Sequence, residues 1–127
     1  MTKIRNDDKS TEFGLWLRQQ KEIDSSLGFV TTNLDYIWTN HKTGDWMLIE
    51  EKRYGKEPQL YQRQLFEKVD KPCRQDKLYR GFHILVFQHS NPDDGKIWLD
   101  EQPITKDQLL DFLQFTGATE VESDIEL

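Results

Sequence analysis

The sequence NLDYIWTNHKTGDWMLIEEKRYG, residues 33–55, decides the fold because two apolar segments meet there around a polar turn. Residues 34–39 and 46–53 are rich in Leu, Tyr, Ile, Trp and Met, and residues 41–45 between them, HKTGD, have the composition of a turn. Apolar runs of this length on either side of turn residues are typical of a β-hairpin. We therefore predict two antiparallel strands over this stretch.

Five charged residues lie within these two apolar segments, and three of them, Asp35, Glu50 and Lys52, are candidates for one site. Side chains alternate between the two faces of a strand, so Glu50 and Lys52 share a face with Trp46 and Leu48 on the second strand. Pairing across the turn brings Asp35 of the first strand close to the end of the second strand that carries Glu50 and Lys52. The pattern predicts that two carboxylates and one ammonium group lie together on one face of a sheet.

This arrangement resembles the PD-(D/E)XK nuclease superfamily, whose core has an acidic residue on one strand and an acid-x-Lys triplet on the next. Here the triplet is Glu50-Glu51-Lys52 and the partner acid is Asp35, while Leu34 stands where the family pattern has Pro. The resemblance covers most of the chain in outline, because a helix precedes the hairpin and a helix and further strands follow it. It implies a restriction-endonuclease-like α/β fold.

The resemblance implies metal-dependent hydrolysis of phosphodiester bonds in nucleic acid. Asp35 and Glu50 would hold Mg²⁺ or Mn²⁺, which prefer oxygen ligands, and the backbone carbonyl of Glu51 would be a further ligand. The ion would activate a water and screen the charge on the phosphate. Lys52 would orient that water or meet a phosphate oxygen. Glu12 resembles a helical acid that assists the metal site in many family members; its alternative is an ordinary first-turn acid favoured by the helix dipole.

The same residues also have a structural interpretation. Antiparallel sheets often have one solvated face, and on this interpretation Asp35, Glu50 and Lys52 belong to it, with Lys52 in an ordinary surface ion pair. Trp46 and Leu48 lie on the same face of the second strand, so the face is not plainly polar. The catalytic interpretation is therefore preferred.

Composition indicates a small folded protein. The chain of 127 residues has the length of one domain, and its four tryptophans favour a folded chain over a disordered one. Cys73 is the single cysteine, which excludes an internal disulfide and fits a cytoplasmic location. We expect no membrane partner, because no apolar run has the length of a membrane span. Residues 1–9 predict a flexible arm, residues 10–117 a single nuclease-like domain and residues 118–127 an acidic tail.

The net charge of −6 is unfavourable for binding nucleic acid, whose phosphates attract Lys and Arg. Basic residues nevertheless outnumber acidic ones over residues 52–80, and the acidic excess lies elsewhere, notably in the tail. A phosphate backbone could follow this basic stretch; the alternative is a solvated helix face. The candidate contacts to nucleic acid follow the triplet or lie near the N-terminal end of the next helix: Arg53, Lys56, Gln59, Gln62 and Arg63.

The segments outside the hairpin predict helices and further strands. One helix covers about residues 10–22 with its apolar face on the sheet, and a second covers about residues 58–71 before Pro72 breaks it. The continuous apolar run 82–87 predicts a central strand covered on both faces, and residues 96–99 begin another strand. The sequence thus alternates between helical and strand signals along its length.

A last helix begins at Thr105 and ends at Gly117. It is apolar over a wide arc, which either covers the sheet or packs against a second subunit. The complete order, α-β-β-α-β-β-α, predicts an α/β fold with a mixed central sheet of about four strands flanked by helices. A domain of this size hardly encloses a duplex alone, so we expect a homodimer with the last helix as its candidate interface.

The function that we predict is that of a cytoplasmic endonuclease, dependent on Mg²⁺ or Mn²⁺, with DNA preferred over RNA as its substrate. One alternative is a non-catalytic acidic protein that binds or inhibits a nucleic-acid-binding partner, in keeping with the net charge and the acidic tail. A weaker alternative is a structural subunit of a larger assembly. Binding of labelled nucleic acid at low salt distinguishes the enzyme from the inhibitor.

Overall fold

The structure is a computed structural model that describes residues 11–116. The chain divides into two compact units, the first ending at Thr32 and the second beginning at Asn33. The predicted arm and acidic tail lie outside the described residues, as does Gly117, the predicted end of the last helix. The prediction of a single domain over residues 10–117 stays a prediction.

The first unit consists of short helical segments. Helix α1, Glu12–Arg18, begins at Thr11, whose hydroxyl accepts a hydrogen bond from the Gly14 amide at 3.0 Å. Two single 3-10 turns, Lys21–Ile23 and Ser25–Leu27, follow it. The prediction that the helix continues to about residue 22 is wrong. The amides of the two residues after α1 bond to carbonyls only three residues back, which closes the α-helix early.

The second unit contains a mixed five-stranded sheet, so the predicted α/β class is confirmed. The strands lie in the order β1-β2-β3-β4-β5; β2 and β3 are parallel and every other neighbouring pair is antiparallel. Their bounds are Tyr36–Thr39 for β1, Trp46–Lys52 for β2, Tyr79–Phe87 for β3, Ile97–Leu99 for β4 and Gln102–Ile104 for β5.

The fifth strand was missed by the prediction of about four strands. Strand β5 has three residues and contains Pro103, so its sequence does not show the alternating pattern of a strand. The turn before it consists of Asp100 and Glu101, which both have positive φ angles, 50° and 73°. Such hairpin turns usually carry Gly or Asn, and Glu101 gives no signal of one.

The predicted hairpin over residues 33–55 is confirmed. Tyr36 pairs with Ile49 and Thr39 with Trp46 in an antiparallel register. At the turn, the amide of Asn40 donates to the carbonyl of Asp45 at 3.0 Å. Strand β1 begins only at Tyr36, so Asp35 immediately precedes the ladder.

Helix α2, Leu60–Cys73, crosses from β2 to β3 and covers one face of the sheet. Phe66 of this helix stacks on Phe82 of β3 with ring centroids 4.5 Å apart. The helix begins after Gln59, its N-cap, rather than at Pro58. Pro72 lies inside the last turn instead of ending the helix before it, and the amides of Arg74 and Gln75 bond to carbonyls of this turn.

Helix α3, Lys106–Leu113, covers the opposite face. Thr105 caps it as predicted, accepting from the Gln108 amide at 3.1 Å. The apolar arc of α3 packs mainly on the sheet, the first of the two alternatives, although Leu110 is 50% exposed. The residues of this core are Met47, Ile49, Leu85, Phe87, Ile97, Leu109, Phe112 and Phe115.

Strand β3 is the central strand of the sheet, as predicted from its continuous apolar run. Its alternate residues contact the two helical layers: Phe82 stacks on α2, and the ring of His83 meets the edge of Phe112 on α3 at 4.9 Å. Of the helices within residues 11–116, none combines the length and the apolar character needed to cross a membrane.

Candidate active site

The candidate site lies at the edge of the sheet where β2 ends. Because β1 is antiparallel to β2, the start of β1 and the end of β2 meet at this edge, and α2 begins there after the loop that follows β2. Asp35 comes from the start of β1, and Glu50 and Lys52 come from the end of β2. The topology thus brings together the three residues that the sequence placed on one face.

Asp35 is fixed against β2 by its side chain. Its Oδ2 accepts a hydrogen bond from the backbone amide of Glu51 at 2.9 Å. Tyr36 pairs with Ile49, so one step further along the register places Asp35 beside Glu50. The N–H and C=O of a strand residue point to the same neighbour in an antiparallel pair. The Glu51 carbonyl is therefore directed toward the same side as its amide, the side on which Asp35 lies.

Glu50 is the most unusual group of the site because it is an acid with only 4% of its surface exposed. Its Oε2 lies 3.5 Å from the Nζ atom of Lys52. Its Oε1 is buried and has no hydrogen-bond partner among residues 11–116. Burial raises the pKa of Glu50, the charge of Asp35 raises it further, and Lys52 opposes the shift without cancelling it. Burying a carboxylate oxygen without a hydrogen-bond partner costs free energy of folding, and binding a proton or a cation at this atom would remove that cost.

Lys52 is held from the opposite side by the amide of Gln62. The Nζ atom donates to Gln62 Oε1 at 3.2 Å, and the same oxygen accepts from the Gln59 backbone amide at 3.1 Å. The second of these bonds belongs to the capping box that begins α2. The helix cap therefore fixes the oxygen that anchors Lys52, and it distinguishes Gln62 from the other glutamines of the helix.

The side chain of Glu51 points to the other face of the sheet. It accepts bonds from the hydroxyl of Tyr36 at 3.0 Å and from Nε of Arg53 at 2.8 Å. The hydrogen bond to Glu51 raises the pKa of Tyr36. This carboxylate is thus engaged elsewhere, which leaves the backbone carbonyl of Glu51 as the atom available to the site.

The basic residues predicted to contact nucleic acid differ in their surroundings. Arg63 forms an ion pair with Glu57 at 2.9 Å and lies 3.6 Å from a carboxylate oxygen of Glu101. Arg53 is paired with Glu51, as described above, whereas Lys56 is exposed in the loop before α2. Ion pairing therefore reduces the positive charge that this stretch presents.

Glu12 belongs to the first unit, where it occupies the first turn of α1. Its surroundings in that unit match the alternative of a dipole-favoured acid, and its assignment to the site stays a prediction. The residues that the structure does bring together are Asp35, Glu50, Lys52 and Gln62. Of these, Gln62 was predicted as a contact to nucleic acid and not as the anchor of Lys52, although its position three residues after Gln59 at a helix start is a signal of a capping box.

The oxygen atoms at this edge fit a hard divalent cation. Within the described part of the chain, no group of three or more His, Cys, Asp or Glu side chains could hold a metal ion. Mg²⁺, however, is usually bound through one or two carboxylates, with waters and substrate phosphates completing its coordination. The Asp35 carboxylate, the unpaired oxygen of Glu50 and the Glu51 carbonyl provide this kind of donor set.

Comparison of the chain with protein-family models, curated protein sequences and solved structures finds no significant match. The nuclease resemblance therefore depends on the sequence and on the described fold alone. Asp35, the Glu50-Glu51-Lys52 triplet and the order of the surrounding elements are the observations that support it.

Proposed function

We propose that this chain is a metal-dependent nuclease with a restriction-endonuclease-like fold, which hydrolyses phosphodiester bonds of nucleic acid at Asp35, Glu50 and Lys52. The observation that carries the proposal is the buried Oε1 atom of Glu50, which has no hydrogen-bond partner in the described part of the chain. A purely solvated face would leave this carboxylate in water. Burial beside a second acid instead favours a site that takes up a cation.

Bound Mg²⁺ or Mn²⁺ would supply the Lewis acid that polarises the phosphate and lowers the pKa of a water. Asp35 and Glu50 would hold the ion through carboxylate oxygens, and Glu51 through its backbone carbonyl. The hydrogen bond from the Glu51 amide to Asp35 orients that carboxylate before any ligand arrives. The site is thus partly preorganised by the backbone of β2.

Lys52 supplies the positive charge of the site. Its ammonium group has three donors, of which one is directed to Gln62 and one lies near Glu50. The third donor remains to orient a water or to meet a phosphate oxygen. Anchoring by the amide of Gln62 restricts the side chain, so less conformational entropy is lost when substrate binds.

The substrate that we propose is DNA, with RNA as the alternative. The exposed Lys56 lies in the loop that links the end of β2 to α2, next to the site. A phosphate backbone could approach the site past this loop and the N-terminal end of α2. Because the chain has a net charge of −6, we expect weak binding that decreases steeply as salt is added.

The second candidate function is an acidic protein that binds a nucleic-acid-binding partner. Its support is the ion pairing of the basic stretch, in which Arg53, Arg63 and Arg74 each lie next to a carboxylate. Such pairing leaves the negative charge dominant. Electrophoresis with labelled DNA and RNA at low salt distinguishes the candidates, because an inhibitor of this kind binds neither.

Cleavage of single-stranded and double-stranded DNA and RNA, with Mg²⁺, with Mn²⁺ and with a chelator, tests the proposal. We expect ion-dependent cleavage that is lost in Asp35→Ala, Glu50→Gln and Lys52→Ala. The matched controls are Asp93→Asn and Lys106→Ala, which break an exposed ion pair of 2.8 Å outside the site. An inert native chain, or cleavage that persists in all three site variants, would overturn the proposal.

A further inference from the structure

The outer edge of β1 is open and apolar. Strand β1 is the first strand of the sheet and has no strand partner on its outer side among residues 11–116. Its side chains are well exposed, at 49% for Tyr36, 66% for Ile37 and 41% for Trp38. Proteins usually protect such edges with charges or proline, as β5 at the other edge does with Pro103. Strand β1 contains neither.

The backbone groups that β1 directs outward follow from its pairing with β2. The Asn40 amide donates to the Asp45 carbonyl, and bonded positions alternate along an antiparallel pair. Tyr36 and Trp38 therefore bond inward to β2. The N–H and C=O groups of Ile37 and Thr39 point to the open edge.

These outward groups are self-complementary. Residues opposite each other in an antiparallel pair have side chains on the same face, which allows Ile37 to lie opposite its own copy. In that register Tyr36 lies opposite Trp38, and Asp35 lies opposite Thr39, so no like charges meet. We propose that β1 pairs with β1 of a second copy of this chain, with Ile37 at the two-fold axis, to join two five-stranded sheets into one.

The pairing has a consequence for the candidate site. This consequence rests on the proposed function, whereas the pairing itself does not. Both copies of Asp35 lie on the same face of the joined sheet. Four residues separate them along the strand direction, or roughly 14 Å at the rise of an antiparallel strand. Two catalytic sites on one face provide one site for each strand of a duplex.

Disulfide cross-linking tests the register directly. In a Cys73→Ser background, we expect Ile37→Cys to oxidise to a covalent dimer, because hydrogen-bonded opposite residues have Cα atoms about 5.5 Å apart. Tyr36→Cys is the matched control: its two copies are offset by two positions and lie beyond disulfide reach. Equal cross-linking of both variants, or of neither, would overturn the register.

The mass in solution, measured by light scattering without nucleic acid, tests the interface. We expect the native protein to have the mass of a dimer of two 15.2 kDa chains. Ile37→Lys should dissociate this dimer, because it places two ammonium groups at the axis. Leu110→Lys adds the same charge at the half-exposed position on α3 and should leave the dimer intact. A native monomer would overturn the proposal, including a monomer in which another part of the same chain covers the β1 edge. A dimer that dissociates only in Leu110→Lys would also overturn it. Neither measurement depends on cleavage.

Discussion

The carboxylates at the two ends of β2 differ in how completely they are hydrogen-bonded. At the start of the strand, Asp45, Asp70 and Asp76 form a network in which both oxygens of every carboxylate have a donor. The partners are Thr43 and Arg80 for Asp45, Arg74 and Tyr79 for Asp70, and Trp46 and Leu78 for Asp76. We call these three acids and their partners the satisfied network.

At the end of the same strand, the carboxylate of Glu50 is incompletely satisfied. Glu50 is more deeply buried than the acids of the satisfied network, yet one of its oxygens has no donor within residues 11–116. Burial raises the pKa of Glu50. Its hydrogen bonds are too few to offset this cost of burying the charge. Acids therefore stabilise the fold at the start of β2, whereas the buried Glu50 at its end lowers the stability of the fold. A group that costs stability is expected where function needs it.

The largest effect that we predict comes from Glu50→Gln. The amide keeps the shape of the side chain but removes the charge, so we expect cleavage to fall by at least about a hundredfold. The free energy of unfolding without metal should be unchanged or higher, because the cost of burying the Glu50 charge disappears, while Lys52 keeps its bond to Gln62 and its partial exposure to water. Cleavage rates and urea unfolding of the same preparations measure both quantities. If Glu50→Gln lost much of its stability together with its activity, the proposed difference between the two ends of β2 would be wrong.

The next largest effect is expected in the satisfied network, with the opposite signature. Asp70→Ala leaves the hydroxyl of Tyr79, which donates to Asp70 at 2.5 Å, without its acceptor. We expect the free energy of unfolding to fall by about 1–3 kcal/mol, while folded molecules cleave at the native rate. The exposed pair of Asp93 and Lys106 is the reference, since Asp93→Ala should leave stability nearly unchanged. Equal losses in the two variants would contradict the structural role of the network.

Gln62→Ala should change both quantities by smaller amounts. It removes the acceptor of Lys52 and one half of the capping box, so we expect about a tenfold loss of cleavage and about 1 kcal/mol of stability. Gln64→Ala, at an exposed position on the same helix, is the matched control and should do neither. Measuring kcat and KM separately shows whether Lys52 acts on bound substrate. A change in stability without a change in cleavage would show that Gln62 acts only through the capping box of α2.

The sequence was sufficient to predict the hairpin and the grouping of Asp35, Glu50 and Lys52, because strand alternation and a short turn determine which side chains share a face. It also indicated the central strand β3 through a continuous apolar run. These are local patterns with one physical cause each. The burial of Glu50 could not be predicted in this way, since it depends on how α2 and β3 cover the face.

Features that depend on distant or weak signals were missed. Strand β5 is three residues long, and the positive φ angle of Glu101 is unusual for its residue type. Gln62 was predicted as a contact to nucleic acid, but its bond to Lys52 was missed because it depends on the geometry of the helix cap. The satisfied network joins residues from the hairpin, α2 and β3, and no sequence spacing indicates that they meet.

The last and smallest predicted effect concerns His83, which connects β3 to the satisfied network. Its Nε2 donates to the carbonyl of Arg80 at 2.7 Å, and its Nδ1 lies 2.7 Å from a carboxylate oxygen of Asp100. Two acceptors require both ring nitrogens to donate, which favours the imidazolium form. Burial lowers the pKa of His83, but the hydrogen bond and charge of Asp100 outweigh it and leave the pKa raised.

A raised pKa in the folded state means that the imidazolium adds stability below the ordinary value of 6.5, and that this stability is lost as pH increases through the folded pKa. Urea unfolding at a series of pH values should therefore show a decline in the free energy of unfolding as the pH rises above 6.5, and Asp100→Asn should diminish it. Cleavage per folded molecule should not follow the same curve, because His83 lies on the α3 face and contacts the satisfied network. If the titration of His83 changed cleavage rather than stability, the two ends of β2 would be coupled and the division between them would fail.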